Sequence, residues 1–263
     1  MRIKANDIYI NYELSGKKGA PVVVLSHSLS SSLLMWNPQM GALNPYFQVL
    51  RYDIRGHGGS DVPSGAYTLE QLAKDVISLL DALGVDQAHF VGLSLGGMIG
   101  QSLALNDAHR LKSLTLCDTA ALVPAEAEPL WQERMDQARA KGMEALSDQT
   151  MERWFTPSFL KQNSKMLLLI RQQLLATPVS GYIGCAEAIR RLNYLERLSE
   201  IKVPTLIVVG AEDPGTPVSV SVAMTERISN SKLVILPSAR HLSNVEQAEA
   251  FNAALLKFLR NLS

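Results

Sequence analysis

A serine flanked by glycines, in the motif Gly-Leu-Ser-Leu-Gly-Gly at residues 92–97, limits the architectures open to this chain. An apolar run typical of a buried strand precedes the motif, and a run typical of a helix follows it. On so sharp a turn Ser94 adopts a strained backbone, and glycines two positions before and after it prevent a clash across the turn. The hydroxyl then stands above a helix N-terminus, where developing negative charge is stabilised. The motif therefore predicts a nucleophilic serine on an α/β scaffold.

Two later strand-like runs end in the residue types that a nucleophilic serine needs as partners. Residues 205–210 precede Asp213, and residues 232–236 precede His241. An acid followed by a histidine, each placed after a strand, is the chain order required in this kind of serine site. Ser94, Asp213 and His241 form the predicted catalytic triad. Asp118, which ends the strand after the nucleophile helix, remains the alternative acid.

The charge balance argues against large anionic partners. Lys plus Arg number 25 and Asp plus Glu number 25, so the formal net charge is zero, whereas nucleic acid and anionic membranes attract basic proteins. The N-terminus has no apolar signal segment, and no run approaches the length of a membrane span. Cys117 and Cys185 form neither a disulfide framework nor a metal-ligand pattern. We therefore expect a cytoplasmic protein that acts on a small molecule.

The order of the apolar patterns predicts one core and one insertion. Strand and helix signals alternate over residues 1–119 and again over 201–263, with an antiparallel strand near residues 8–14 and a helix capped by Thr68. Between them, residues 120–200 show four helical patterns separated by prolines and glycines. The predicted fold is a mostly parallel, doubly wound α/β sheet with a helical cap inserted before the last strands.

Acyl transfer to a serine also needs hydrogen-bond donors for the oxyanion of the tetrahedral intermediate. The backbone N–H of Leu95, directly after the nucleophile, is the first predicted donor. The second comes from the loop after the strand at residues 22–25, where we predict the Leu29 amide. Ser28, through its amide or hydroxyl, is the alternative.

A second polar loop, residues 53–60, groups Asp, Arg, His and Ser and could be mistaken for a catalytic site. It follows a predicted strand and is rich in glycine. We therefore interpret it as a structural turn whose side chains satisfy loop backbone near the active-site floor.

The serine motif and the segments around Asp213 and His241 together resemble the α/β-hydrolase superfamily over essentially the whole chain. Residues 52–58, 184–190 and 241–247 resemble more narrowly the 3-oxoadipate enol-lactonases of the β-ketoadipate pathway for aromatic-acid breakdown. This resemblance implies the α/β-hydrolase fold and a carboxylic ester hydrolase that opens the enol-lactone to 3-oxoadipate through an acyl-enzyme. It implies no cofactor and no metal.

The resemblance also implies a substrate that carries a carboxylate. A buried carboxylate must be paired with a cationic or hydrogen-bonding group. Arg190 is the predicted partner because it lies in the lactonase-like stretch of the cap, and Arg134 and Arg153 are the alternatives. Trp131 and Ser28 are the other predicted substrate contacts.

Other functions remain open on this scaffold. A carboxylesterase, a carbon–carbon bond hydrolase or a perhydrolase would use the same three residues. A ligand-binding protein that signals through its cap could also retain them. The sequence leaves open whether copies of the chain associate into a homo-oligomer.

Overall fold

One mixed sheet of eight strands organises residues 1–262, which are the residues that the computed structural model describes. The strands are β1 (Arg2–Ala5), β2 (Ile8–Gly16), β3 (Val22–Ser26), β4 (Gln48–Tyr52), β5 (Ala88–Leu93), β6 (Leu111–Cys117), β7 (Thr205–Gly210) and β8 (Ser231–Leu236). Their order across the sheet is β1-β2-β4-β3-β5-β6-β7-β8. The β1–β2 and β2–β4 pairs are antiparallel, and the other neighbours are parallel. The carboxyl ends of β5 to β8 therefore share one edge of the sheet, where ligands bind in open α/β sheets.

Helices connect these strands and cover the sheet. They are α1 (Asn37–Leu43), α2 (Leu69–Ala82), α3 (Leu95–Asn106), α4 (Glu128–Lys141), α5 (Glu144–Trp154), α6 (Pro157–Leu160), α7 (Lys165–Ala176), α8 (Val179–Arg190), α9 (Val218–Arg227), α10 (Ser243–Glu246) and α11 (Ala248–Arg260). Helices α4 to α8 all lie between β6 and β7 in the chain. Within residues 1–262 no helix is both long enough and apolar enough to cross a bilayer.

The central strands of the sheet are buried on both faces, as the apolar runs predict. Val24 of β3 belongs to an apolar cluster that includes residues of α2 and α3. Its neighbours Val23 and Leu25 belong to a second cluster that includes residues of α1 and α11. Because successive side chains of a strand point to opposite faces, these two clusters lie on opposite sides of the sheet. The doubly wound architecture is confirmed.

The local predictions hold with one difference in the cap. Strand β2 is antiparallel, and the Thr68 hydroxyl accepts a hydrogen bond from the N–H of Gln71 at 3.1 Å at the start of α2. Pro157, predicted to separate two helices, instead begins the one-turn helix α6, so the cap contains five helices rather than four. Proline is favoured at the first helical position because its missing N–H needs no partner there. The division into a core of 1–119 with 201–263 and a cap of 120–200 stays a prediction.

Helix α8 of the cap packs so closely against the core that backbone atoms of the two are in contact. A Cβ atom added to Gly181 would lie 1.9 Å from the carbonyl oxygen of Gly56, and one added to Gly184 would lie 2.7 Å from the ring of Tyr67. The N–H of Tyr67 also donates to the carbonyl of Gly184 at 3.0 Å. Only glycine leaves room for such contacts, so Gly181 and Gly184 allow α8 of the cap to pack against Gly56 and Tyr67 of the core.

We expect Gly181→Ala to destabilise the protein by about 1–3 kcal/mol, because the added methyl group must displace the backbone of Gly56. Gly41→Ala is the matched control, since Gly41 is also helical and an added Cβ there meets nothing within 4 Å. That control should be neutral or stabilise by up to ~1 kcal/mol. Urea unfolding measures both changes. Equal stabilities of the two variants would contradict the close contact.

Candidate active site

Ser94 occupies the turn between β5 and α3 in a left-handed conformation, with φ of 53°. Its N–H donates to the carbonyl of Cys117 at 2.9 Å, and the hydroxyl of Thr119 donates to its carbonyl at 2.7 Å. These contacts with β6 and the loop after it hold a conformation that non-glycine residues otherwise avoid.

Close packing at and beside the turn requires the glycines on either side of Ser94. A Cβ atom on Gly92 would lie 2.1 Å from the carbonyl oxygen of Gly96, and one on Gly96 would lie 2.2 Å from that of Ser26. Both distances are far below van der Waals contact. The predicted clash across the turn is confirmed for Gly92, whereas position 96 needs glycine because the end of β3 packs against it.

Asp213 and His241 lie side by side at the ends of β7 and β8. The Nδ1 atom of His241 lies 2.7 Å from Oδ2 of Asp213, which also accepts a hydrogen bond from the hydroxyl of Thr216 at 2.5 Å. The N–H of Gly215 donates to Oδ1 at 2.8 Å. Although burial opposes ionisation, the charge and hydrogen bond of His241 and the other donors lower the pKa of Asp213. A charged Asp213 fixes the proton on Nδ1 and leaves Nε2 free to accept a proton.

The same pair sets the basicity of the histidine. Burial of the ring lowers the pKa of His241, but the Asp213 carboxylate raises it by more, so the net shift is upward from 6.5. This shift favours an imidazole that takes a proton readily near neutral pH.

Asp118 lies at the same sheet edge but has other partners. It is fully buried, and its Oδ1 and Oδ2 accept hydrogen bonds from the N–H of Gly210 at 2.8 Å and from the hydroxyl of Ser243 at 2.5 Å. Burial and the nearby charge of Asp213 raise the pKa of Asp118 well above its ordinary value. Of the two candidate acids, the structure therefore brings Asp213, and not Asp118, into hydrogen-bond contact with His241.

The predicted oxyanion donors surround Ser94. Leu95 is the first residue of α3, so its N–H has no acceptor within the helix. Ser28 and Leu29 line the same cavity as Ser94, on the loop that follows β3. This placement leaves both Leu29 and Ser28 available for the second donor.

Two buried histidines hold that loop. The Nε2 atom of His27 accepts from the N–H of Ile54 at 2.9 Å, so its Nδ1–H donates to the carbonyl of Ser28 at 2.7 Å. The Nε2 atom of His57 accepts from the N–H of Ser30 at 3.0 Å. Burial lowers the pKa of His27 to about 4 and that of His57 to about 3, so both rings stay neutral. The structural interpretation of the loop at residues 53–60 is confirmed.

This supporting role for His27 was missed at the sequence level. The only signal in the sequence was its position next to Ser28. Its ring accepts a hydrogen bond from the N–H of Ile54, which lies 27 positions away in the chain.

A cavity of about 310 Å³ opens above Ser94 and His241, between the sheet edge and the cap. This size suits a small substrate. Apolar groups form much of its wall, including Trp131 as predicted and also Met98, Leu122, Leu130, Trp154, Tyr182 and Ile189.

Two cap arginines also line this cavity. The guanidinium of Arg134 lies 5.4 Å from the ring centre of Trp131, and Nη2 of Arg153 donates to the hydroxyl of Thr150 at 3.1 Å. Nε of Arg134 and Nη1 of Arg153 are buried without a hydrogen-bond partner among residues 1–262. Burial and the charge of Arg134 lower the pKa of Arg153 to about 10, so both groups remain cationic at neutral pH. The cavity thus presents donors suited to an anion.

Arg190, the predicted substrate contact, has other partners in the structure. Arg190 does not line the cavity, and its guanidinium pairs with Glu187 at 2.8 Å and with Glu128 at 3.2 Å. Glu187 lies three residues earlier on the same helix, a spacing that places both side chains on one face. That spacing was visible in the sequence and favoured an intrahelical ion pair over a substrate contact.

The arrangement combines a serine hydroxyl, a histidine oriented by a carboxylate, and backbone donors beside them. These are the parts required for acyl transfer through a covalent intermediate. Within residues 1–262 no three His, Cys, Asp or Glu side chains are grouped so as to hold a metal ion.

Comparison with known proteins places the chain among hydrolases. A family model described as the alpha/beta hydrolase fold matches residues 21–248. The chain is 37% identical over 253 residues to 3-oxoadipate enol-lactonase 2 of Acinetobacter baylyi, covering 96% of this chain and 94% of that protein.

Solved structures agree over nearly the whole chain, cap included. The crystal structure of the enol-lactonase from Burkholderia xenovorans LB400 superposes with a TM-score of 0.95 at 38% identity, covering 99% of this chain and 100% of that one. A thermophilic esterase from Thermogutta terrifontis, solved with malate bound, gives a TM-score of 0.93 at 29% identity, covering 100% and 99%. With its sheet order, its serine turn and these matches, the chain belongs to the α/β-hydrolase family.

Proposed function

We propose that this protein is a serine hydrolase that opens 3-oxoadipate enol-lactone to 3-oxoadipate in the β-ketoadipate pathway of aromatic-acid breakdown. Ser94, His241 and Asp213 act as nucleophile, general base and orienting acid. The observation that carries the proposal is the pair of cationic side chains, Arg134 and Arg153, in the cavity above Ser94. The likeness to two proteins named enol-lactonases supports it.

In the first step, Nε2 of His241 takes the proton of the Ser94 hydroxyl while the serine oxygen attacks the lactone carbonyl carbon. The carbonyl oxygen becomes an oxyanion, which the N–H groups of Leu95 and Leu29 stabilise. When the tetrahedral intermediate collapses, the ring C–O bond breaks and an acyl-enzyme forms. The departing enol oxygen takes the proton from His241.

The opened enol stays tethered to the acyl group, so it could close the ring again. Tautomerisation of the enol to the ketone removes this internal nucleophile. A water molecule, deprotonated by His241, then attacks the acyl-enzyme and releases 3-oxoadipate with the Ser94 hydroxyl restored.

Arg134 and Arg153 bind the side-chain carboxylate of the lactone. In a largely apolar cavity an anion needs charged donors, and both arginines have a buried nitrogen without a partner among the described residues. The esterase from Thermogutta terrifontis was solved with malate bound, and malate is a dicarboxylate, so a relative with this fold binds a carboxylate anion.

We place this chemistry at the boundary between a core of residues 1–119 and 201–263 and a cap of residues 120–200. A cytoplasmic location is consistent with Cys117 and Cys185, which are both free and buried.

A carboxylesterase is the second candidate, favoured by the likeness to the Thermogutta terrifontis esterase. Such an enzyme would prefer neutral esters, for which the cap arginines offer no binding energy. The ratio of turnover on the acidic lactone to turnover on a small neutral ester therefore separates the two functions.

We expect the purified protein to turn over 3-oxoadipate enol-lactone far faster than p-nitrophenyl acetate. Loss of lactone absorbance measures the first reaction, and release of nitrophenol measures the second. Ser94→Ala should lower kcat on both substrates on the order of 10⁶-fold, because the nucleophile is lost while the fold remains. If wild type leaves the lactone intact but cleaves the ester, the lactonase assignment is wrong. If Ser94→Ala retains activity, the triad is wrong.

Asp213→Asn should reduce kcat roughly 10⁴-fold, because an amide stabilises the wrong tautomer of a catalytic histidine. Asp118→Asn should reduce kcat much less, since Asp118 bonds Gly210 and Ser243 rather than the ring. Steady-state kinetics of both variants on p-nitrophenyl acetate measure the ranking. The reverse ranking would assign the acid to Asp118.

Arg134→Met and Arg153→Met should each lower kcat/KM on the acidic lactone by about 10- to 150-fold, the value of a hydrogen bond to a charged group. Arg190→Met is the matched control, since it removes an arginine of the same cap that is paired on the surface. Its kcat/KM on the lactone should stay within about twofold of wild type, because the substitution removes no binding energy for the substrate. A larger loss in Arg190→Met than in the other two variants would restore Arg190 as the substrate contact.

A further inference from the structure

The loop that carries His241 is bonded directly to the cap. The N–H of Leu242 donates to the carbonyl of Trp154 at 3.1 Å. The guanidinium of Arg240 donates to the carbonyl of Glu152. The residues on both sides of His241 are therefore attached to the end of cap helix α5.

Glu246 completes this attachment from α10. Its Oε1 atom accepts hydrogen bonds from the N–H of Thr156, at 3.0 Å, and from the hydroxyl of Thr156. Its Oε2 atom accepts from the N–H of Arg240 at 2.9 Å. One carboxylate thus joins the residue before His241 to the cap, with hydrogen bonds of the charge-assisted kind.

The attached cap segment, residues 152–156, also faces the cavity. Arg153 and Trp154 line it, whereas Glu152 and Trp154 offer their carbonyls, and Thr156 its N–H and hydroxyl, to the histidine side. Any displacement of this five-residue segment therefore moves both a wall of the substrate cavity and the backbone around His241.

We propose that Glu246 is a positioning residue that locks the cap segment 152–156 to the His241 loop, so that the cap sets the position of the general base as well as covering the substrate. Of the proposed function, only the role of His241 as general base is needed here. A base must lie within hydrogen-bond reach of the proton it removes, and small displacements of a catalytic group reduce turnover steeply.

The test uses substitutions that break the attachment at one point. In Glu246→Gln the side chain keeps its shape, but its amide nitrogen cannot accept a hydrogen bond, so either Thr156 or the Arg240 N–H loses its partner. Thr156→Val removes the hydroxyl bond from the cap side, together with the N-cap bond of α6 that this hydroxyl accepts from the N–H of Phe159 at 3.3 Å. Thr156→Ser restores the hydroxyl. Gln247→Ala is the matched control, because the Gln247 side chain bonds the carbonyl of Ser238 and does not reach the cap.

On p-nitrophenyl acetate we expect Glu246→Gln to lower kcat about tenfold with KM changed less than about twofold, because the base is displaced and the cavity is intact. Thr156→Val should lower kcat severalfold although it lies in the cap. Thr156→Ser and Gln247→Ala should behave like wild type. The double variant Glu246→Gln/Thr156→Val should match Glu246→Gln alone, since both changes break one connection.

Assays are run at a temperature where thermal unfolding shows each variant to be folded, so that a loss of stability alone leaves kcat unchanged. The inference is overturned if Glu246→Gln keeps a kcat within about twofold of wild type, or if the two substitutions act independently in the double variant. The ester needs only the triad. Failure of wild type to open the lactone would therefore reject the proposed function while leaving this result standing.

Discussion

The site depends on the close backbone packing around Ser94. A serine in the left-handed region is held there by the Cys117 carbonyl and the Thr119 hydroxyl, both supplied by β6 and the loop after it. The next strand in the sheet thus supports the turn on β5. Because the same sheet edge carries the ends of β7 and β8, a parallel sheet places Ser94, Asp213 and His241 together although they are far apart in the chain.

Three separate parts of the molecule hold the stretch 241–247, which begins with His241. Ser243 bonds Asp118 at the end of β6, and the Asn244 side chain bonds Gln39 of α1 at 3.0 Å. Glu246 bonds the cap at Thr156. Each polar residue of this short helix therefore has a partner on a different element. This explains why a stretch next to a catalytic histidine carries so many polar side chains in a mostly buried place.

Several largely buried ionisable groups surround the site, and their surroundings shift their pKa values in different directions. The charge and hydrogen bond of His241 and nearby donors lower the pKa of Asp213, while burial and the charge of Asp213 raise the pKa of Asp118. His27 and His57 stay neutral and act as hydrogen-bond acceptors under the oxyanion loop. The cap adds two cations at the opposite wall of the cavity. The cap wall of the cavity is therefore cationic, whereas the sheet edge presents Ser94 beside the hydrogen-bonded pair of Asp213 and His241.

The sequence by itself determined the serine turn, the mostly parallel sheet, the helical insertion and the chain order of nucleophile, acid and histidine. Each of these follows from local patterns: glycine spacing, apolar runs and residues placed at strand ends. Tertiary structure alone decided which of Asp213 and Asp118 contacts His241, because both follow strands and only the packing of β7 against β8 brings one of them to the ring. It also placed Arg134 and Arg153, and not Arg190, on the cavity wall, since the direction in which a helix face points depends on how the cap packs on the core. A glycine contact 125 residues apart, between Gly56 and Gly181, sets that packing, and no local pattern encodes it.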